Sequence, residues 1–124
     1  MKFAVLALSL LVSGTVAASI PFESAHAASK FGSFASQGKY RVSGGVTVTT
    51  SGGKTTVKLA SNFKTSSGPD LYVYVGNGGP SKRIAKLRKF RGGQTYTFSG
   101  TSPISSVHIY CKRFSVGFGS ARLR

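Results

Sequence analysis

Apolar residues in this chain recur at every second position, in short runs punctuated by Gly, Ser and Pro. A period of two is the alternation of a pleated strand, and the period of about 3.6 that a helix needs is almost absent. Val46 and Val48 alternate with Thr47 and Thr49. Ser51-Gly52-Gly53-Lys54 then reads as a hairpin turn, and Val57 and Leu59 continue the apolar face on the return. In Leu71-Tyr72-Val73-Tyr74-Val75 the aliphatics share one side and the tyrosines the other. Gly76-Asn77-Gly78-Gly79-Pro80 is a turn or loop, and Gln94 to Phe98 puts Tyr96 and Phe98 on one face. Val107, Ile109 and Cys111 have one parity, and His108, Tyr110 and Lys112 the other. The parity resets across Lys112-Arg113 before Phe114, Val116 and Phe118 line up, which predicts a bulge or tight bend at Cys111–Arg113. Seven or so short strands with frequent turns predict an all-β chain: a single small antiparallel domain, sandwich or jelly-roll-like.

That domain is expected to follow an export signal. Met1-Lys2 is a short basic start, and Phe3 to Val12 is apolar except for Ser9, too short and too poorly flanked to span a bilayer. Ala25-His26-Ala27 is the better small-x-small cleavage site, with Thr15-Val16-Ala17 as runner-up. The expectation is a cleaved signal peptide over residues 1–27 and one β domain over 28–124, secreted or periplasmic, with no stable transmembrane segment after cleavage. Removing Lys2 and Glu23 leaves sixteen cations against Asp70 alone, so the net charge stays at +15.

The scarcity of acids excludes whole classes of chemistry. Two carboxylates in the full chain, one after cleavage, cannot supply the pair of a typical glycosidase or aspartic protease, nor a Ca²⁺ cage of several carboxylates. A lone cysteine forbids an internal disulfide. Cys111 reads first as a small buried hydrophobe, as its parity with Val107 and Ile109 suggests. The sharper reading is a redox-active thiol, or a soft ligand to haem or metal, since an unpaired cysteine in an exported chain is unusual. His108 lies three residues before it, a spacing that puts the two on opposite faces of a strand, so His108 is expected to be an exposed strand residue. A Ser-His-Asp triad is formally available through Asp70 and His108, but nothing resembles a nucleophile elbow. Gly68-Pro69-Asp70 reads as a structural turn, with the aspartate accepting backbone N–H bonds or pairing with a cation.

Lys82, Arg83, Lys86, Arg88, Lys89 and Arg91 place six cations in ten residues. Such a run is a solvated loop or edge strand, where charge discourages aggregation, or an anion-binding surface with Phe90, Tyr72 and Tyr74 as stacking platforms. Export argues against intracellular nucleic acid as the partner.

Several segments together resemble the electron-transfer DM-thirteen domain family, which is often found beside DOMON domains. The matching stretches are Tyr40–Val48, Leu59–Tyr74 with its Gly68-Pro69-Asp70-Leu71, Gly93–Phe98 and Ser106–Gly119 with its Cys111-Lys112-Arg113-Phe114-Ser115-Val116. They run from about Phe31 to Leu123. The resemblance implies an extracytoplasmic β-rich module whose characteristic cysteine, Cys111 here, acts in redox reactions. Two departures stand out: Tyr110 replaces the family's common Trp before that cysteine, and residues 82–91 are unusually basic.

Two readings follow. In the first, the chain is an exported redox or electron-transfer accessory module, not an enzyme in its own right. Cys111 is its reactive thiol, Tyr110, Lys112 and Arg113 shape its surroundings, and a separate redox protein is its partner. In the second, it is a non-catalytic envelope or extracellular module held to an anionic polymer through its basic surface. A hydrolase is a distant third.

Overall fold

The computed structural model describes residues 27–124, so the expected signal peptide lies almost wholly outside the described residues. Among the described residues, ten strands and no helix account for the regular structure: β1 (Ala27–Ser36), β2 (Val42–Ser43), β3 (Gly45–Ser51), β4 (Lys54–Leu59), β5 (Lys64–Thr65), β6 (Leu71–Gly76), β7 (Lys82–Lys86), β8 (Gln94–Ser99), β9 (Ser106–Cys111) and β10 (Val116–Arg122). Eight of them form one sheet in the order β7-β6-β9-β10-β1-β3-β4-β8, with every pairing antiparallel. The short β2–β5 ribbon stands apart from it.

β1 turns this long sheet back on itself. Its first part, Ala27 to Ser33, pairs with β3, and its last part, Phe34 to Ser36, pairs with β10. A strand shared in this way is the corner between two half-sheets, which pack face to face. The outer edges of the halves, β7 and β8, then approach without forming a ladder. Side chains bridge that seam: Lys82 Nζ lies 4.7 Å from the centre of the Phe98 ring, and the Arg88 N–H donates to Tyr96 Oη at 3.0 Å. The result is an all-β sandwich nearly closed into a barrel.

Alternation supplies the core. Val46 and Val48 from β3, Val57 and Leu59 from β4, and Leu71, Val73 and Val75 from β6 all point inward and are buried. Burying side chains of this kind contributes roughly 1.5–3 kcal/mol each before conformational entropy is counted. The 51–54 turn forms as its sequence predicts, with Ser51 opposite Lys54 and positive φ at Gly52 (59°) and Gly53 (79°). Both central residues of such a two-residue turn need positive φ, which glycine adopts without steric cost.

Of the two forms expected for the parity reset at Cys111–Arg113, the structure shows the tight bend. It is the hairpin connection, residues 112–115, between β9 and β10. The bulge lies later, between Gly117 and Gly119. Phe118, the extra residue there, is buried and stacks on Tyr40 at 3.8 Å between ring centres, while Phe114 sits in the turn and is 60% exposed.

Candidate functional site

Cys111 ends β9, with Leu71 of β6 opposite it on one side and Val116 of β10 on the other. Its side chain falls on the core face with those of Val107 and Ile109, and none of the three retains exposed surface. Neighbouring residues on a strand point to opposite faces, so Tyr110 looks outward beside Tyr72, its cross-strand partner. Its ring lies 5.1 Å from that of Tyr74 at an interplanar angle of 60°. Lys112 and Arg113 occupy the exposed turn that follows. Thus Cys111, Tyr110, Lys112 and Arg113 are adjacent in sequence but fall on three surfaces: inner face, outer face and rim.

The basic run is divided as well. Lys82, Arg83 and Lys86 project from β7, where Arg83 and Lys86 flank the ring of Tyr72 at 5.2 and 5.1 Å from its centre. Cations over an aromatic face are held by its quadrupole, worth about 0.5–1 kcal/mol at exposed sites. Arg88 lies at the β7–β8 seam while remaining exposed. Its guanidinium stacks 4.2 Å from the Tyr96 ring centre and donates to the Thr95 carbonyl. Burial pushes the Tyr96 phenol up, partly offset by Arg88, and its hydroxyl donates to Gln94 Oε1 at 2.5 Å. Lys89 and Arg91 lie in the exposed loop before β8, beside Phe90, which is 43% exposed.

Gly68-Pro69-Asp70 leads into β6 as a turn, and its aspartate takes the second of its expected roles. The Asp70 carboxylate accepts from Lys86 Nζ at 3.2 Å, the one ion pair among the described residues. Its main-chain carbonyl accepts from the Lys112 N–H at 3.0 Å, tying this turn to the one after Cys111. Gly68 packs so closely on Phe118 that an added Cβ would lie 3.0 Å from the ring.

A family model described as "Electron transfer DM13" matches residues 31–123. The chain belongs to the DM13 family. No curated protein and no solved structure matched it. The match runs from within β1 to just past the end of β10, so the DM13 electron-transfer module corresponds to this β domain.

Within this DM13 domain the structure also forms a polar pair that the sequence reading missed. His108 is not an exposed strand residue. It is 5% exposed, because β9 is a central strand and His108 is flanked on its outer face by its cross-strand neighbours Tyr74 and Ser120. Its Nε2 lies 2.7 Å from Ser106 Oγ, which accepts the Gly78 N–H at 2.9 Å. Burial holds the imidazole below its ordinary pKa. The signal available in the sequence was the shared parity of Ser106 and His108 in a run flanked by apolar residues. With Asp70 committed to Lys86, the pair lacks the acid of a triad. His108 and Cys111 occupy opposite faces of β9, and no cluster of three or more His, Cys, Asp or Glu residues suited to a metal forms among the described residues.

Proposed function

We propose that this DM13 domain acts outside the cytoplasm as a small electron-transfer accessory module, with Cys111 as the group that exchanges electrons with a separate redox protein. The observation that carries the reading is the match to an electron-transfer family over residues 31–123, in a chain whose only thiol is Cys111. The leader-like Met1–Ala27 segment supports export. In the simplest step the Cys111 thiolate attacks a disulfide of the partner. A bond forms between Cys111 and one partner sulfur, the partner's own S–S bond breaks, and the departing sulfur takes up the proton that Cys111 released.

Burial sets the condition for that step, since Cys111 has no exposed surface. Access requires the end of the β9–β10 hairpin to open. This end is suited to opening: Lys112, Arg113 and Phe114 are all exposed, and Ser115 holds a φ of 52° that costs an L residue about 1 kcal/mol. The test is alkylation of the native protein near neutral pH, with mass spectrometry as the readout. Labelling of the native fold, slower than that of the denatured chain but measurable, is expected. Labelling only after denaturation, with no visible chromophore in protein from its own host, overturns the role of the thiol.

A further inference from the structure

The outer face of the β6–β9–β10 region carries a hollow that neither Cys111 nor the basic run uses. It measures about 400 Å³, and Asn77, Ser106, His108, Ser120 and Arg122 are among the residues that line it. Strand register explains the assembly. Ser120 stands opposite His108, and Arg122 stands opposite Ser106, so four side chains two residues apart along paired strands share one sheet face. The Asn77–Gly78 loop closes one side, anchored where the Gly78 N–H reaches Ser106 Oγ.

Hydrogen bonding assigns the polarity of the hollow. Ser106 Oγ accepts the Gly78 N–H and shares a second hydrogen bond, 2.7 Å long, with His108 Nε2. In the tautomer where the Ser106 hydroxyl donates to Nε2, the imidazole proton sits on Nδ1, and this is the tautomer an anion in the hollow would select. Among the described residues no acceptor is hydrogen-bonded to Nδ1, to the Ser120 hydroxyl or to the Arg122 guanidinium. Arg122 alone would be an ordinary solvated cation. His108, at 5% exposure, has little solvent to turn to, and a buried donor without an acceptor costs about 1–3 kcal/mol. The only acidic side chain among the described residues, that of Asp70, is bonded to Lys86. Donors of this kind, in a domain carrying a net charge of +15, call for a negatively charged acceptor.

We propose that this hollow binds a small oxyanion, free or as the charged end of a larger molecule, with Arg122 supplying the charge and His108 and Ser120 the directed hydrogen bonds. The site is independent of the electron-transfer reading and stands if Cys111 proves inert.

The experiment is proton NMR of the His108 C2–H resonance in the full domain. His26 is the only other imidazole in the chain, and His108→Gln assigns the signal. Sodium phosphate, and in a second arm sodium acetate, replaces sodium chloride at constant ionic strength. A saturating shift with either anion is expected, together with a rise in the His108 pKa, because a bound anion favours the imidazolium. The stronger of the two arms tells a tetrahedral from a planar preference. Arg122→Gln should weaken binding about tenfold, as loss of a charge-assisted bond would. Lys58→Gln, which removes the same charge from β4, should leave it unchanged. If Arg122→Gln loses its native signal dispersion, Ser120→Ala takes its place, with a few-fold weakening expected. No saturable shift with either anion overturns the proposal, as does an equal loss in the Arg122 and Lys58 variants.

Discussion

At the scale of single residues, His108 carries the clearest measurable consequence. Its imidazole is kept neutral by burial, with Ser106, Tyr74, Ser120 and Arg122 as its neighbours on the outer face. The unfolded chain protonates its histidine near pH 6.5, while the folded chain resists until a lower pH. Below about pH 6.5 the unfolded state therefore binds more protons, and stability falls with falling pH until the lowered folded value is passed. Urea unfolding of the domain is expected to show this loss as the pH is lowered through about 6.5. In His108→Gln the acid-side loss should shrink, and an undiminished slope would place the titrating group elsewhere. Asp70 shows a different lesson at the same scale. Its position after Gly68-Pro69 announced a turn, but only the pairing of β6 with β7 brings Lys86 to its carboxylate.

Elements were legible where alternation and turn chemistry agreed. The β3–β4 hairpin follows from Val46, Val48, Val57 and Leu59 around two glycines, because local preference and burial demand the same register. At the β9–β10 hairpin the sequence indicates a bulge or tight bend without distinguishing them. Cys111-Lys112-Arg113-Phe114 contains no glycine, and positive φ falls on Ser115, a residue that announces no turn. An exposed Phe114 in line with Val116 and Phe118 then imitated strand periodicity. Ser115→Gly tests the strain at this position. Relieving a left-handed L residue is expected to raise stability by about 0.5–1 kcal/mol in urea titrations. If opening of this turn limits access to Cys111, alkylation of the native thiol should slow by up to about fivefold in the same variant. Unchanged alkylation in a stabilised variant would move the opening event to another part of the sheet.

At the scale of the whole molecule, charge and closure dominate. Among the described residues one ion pair stands against a net charge of +15, so the folded state is compact and self-repelling. Screening should relieve that repulsion. Raising sodium chloride from about 0.01 M to about 0.15 M shortens the Debye length from about 30 Å to about 8 Å, and the urea midpoint is expected to rise. A fall would mean that Lys86–Asp70 and the cation–π contacts outweigh the excess charge. Cations that crowd one stretch of sequence are spread in space: Arg88 holds the β7–β8 seam, Arg83 and Lys86 clasp Tyr72, and Arg91 stays in solvent. The sequence by itself determined the all-β class, the inward aliphatic faces, the opposition of Cys111 and His108 across a strand, and the near-absence of carboxylate chemistry. These follow from side-chain period and composition, which need no knowledge of partners. Only the tertiary structure decided that β1 serves both half-sheets, that β9 is central with His108 buried between Tyr74 and Ser120, and that Ser106, His108, Ser120 and Arg122 meet. Strand order and register set those relations, and both depend on contacts between residues far apart in the chain.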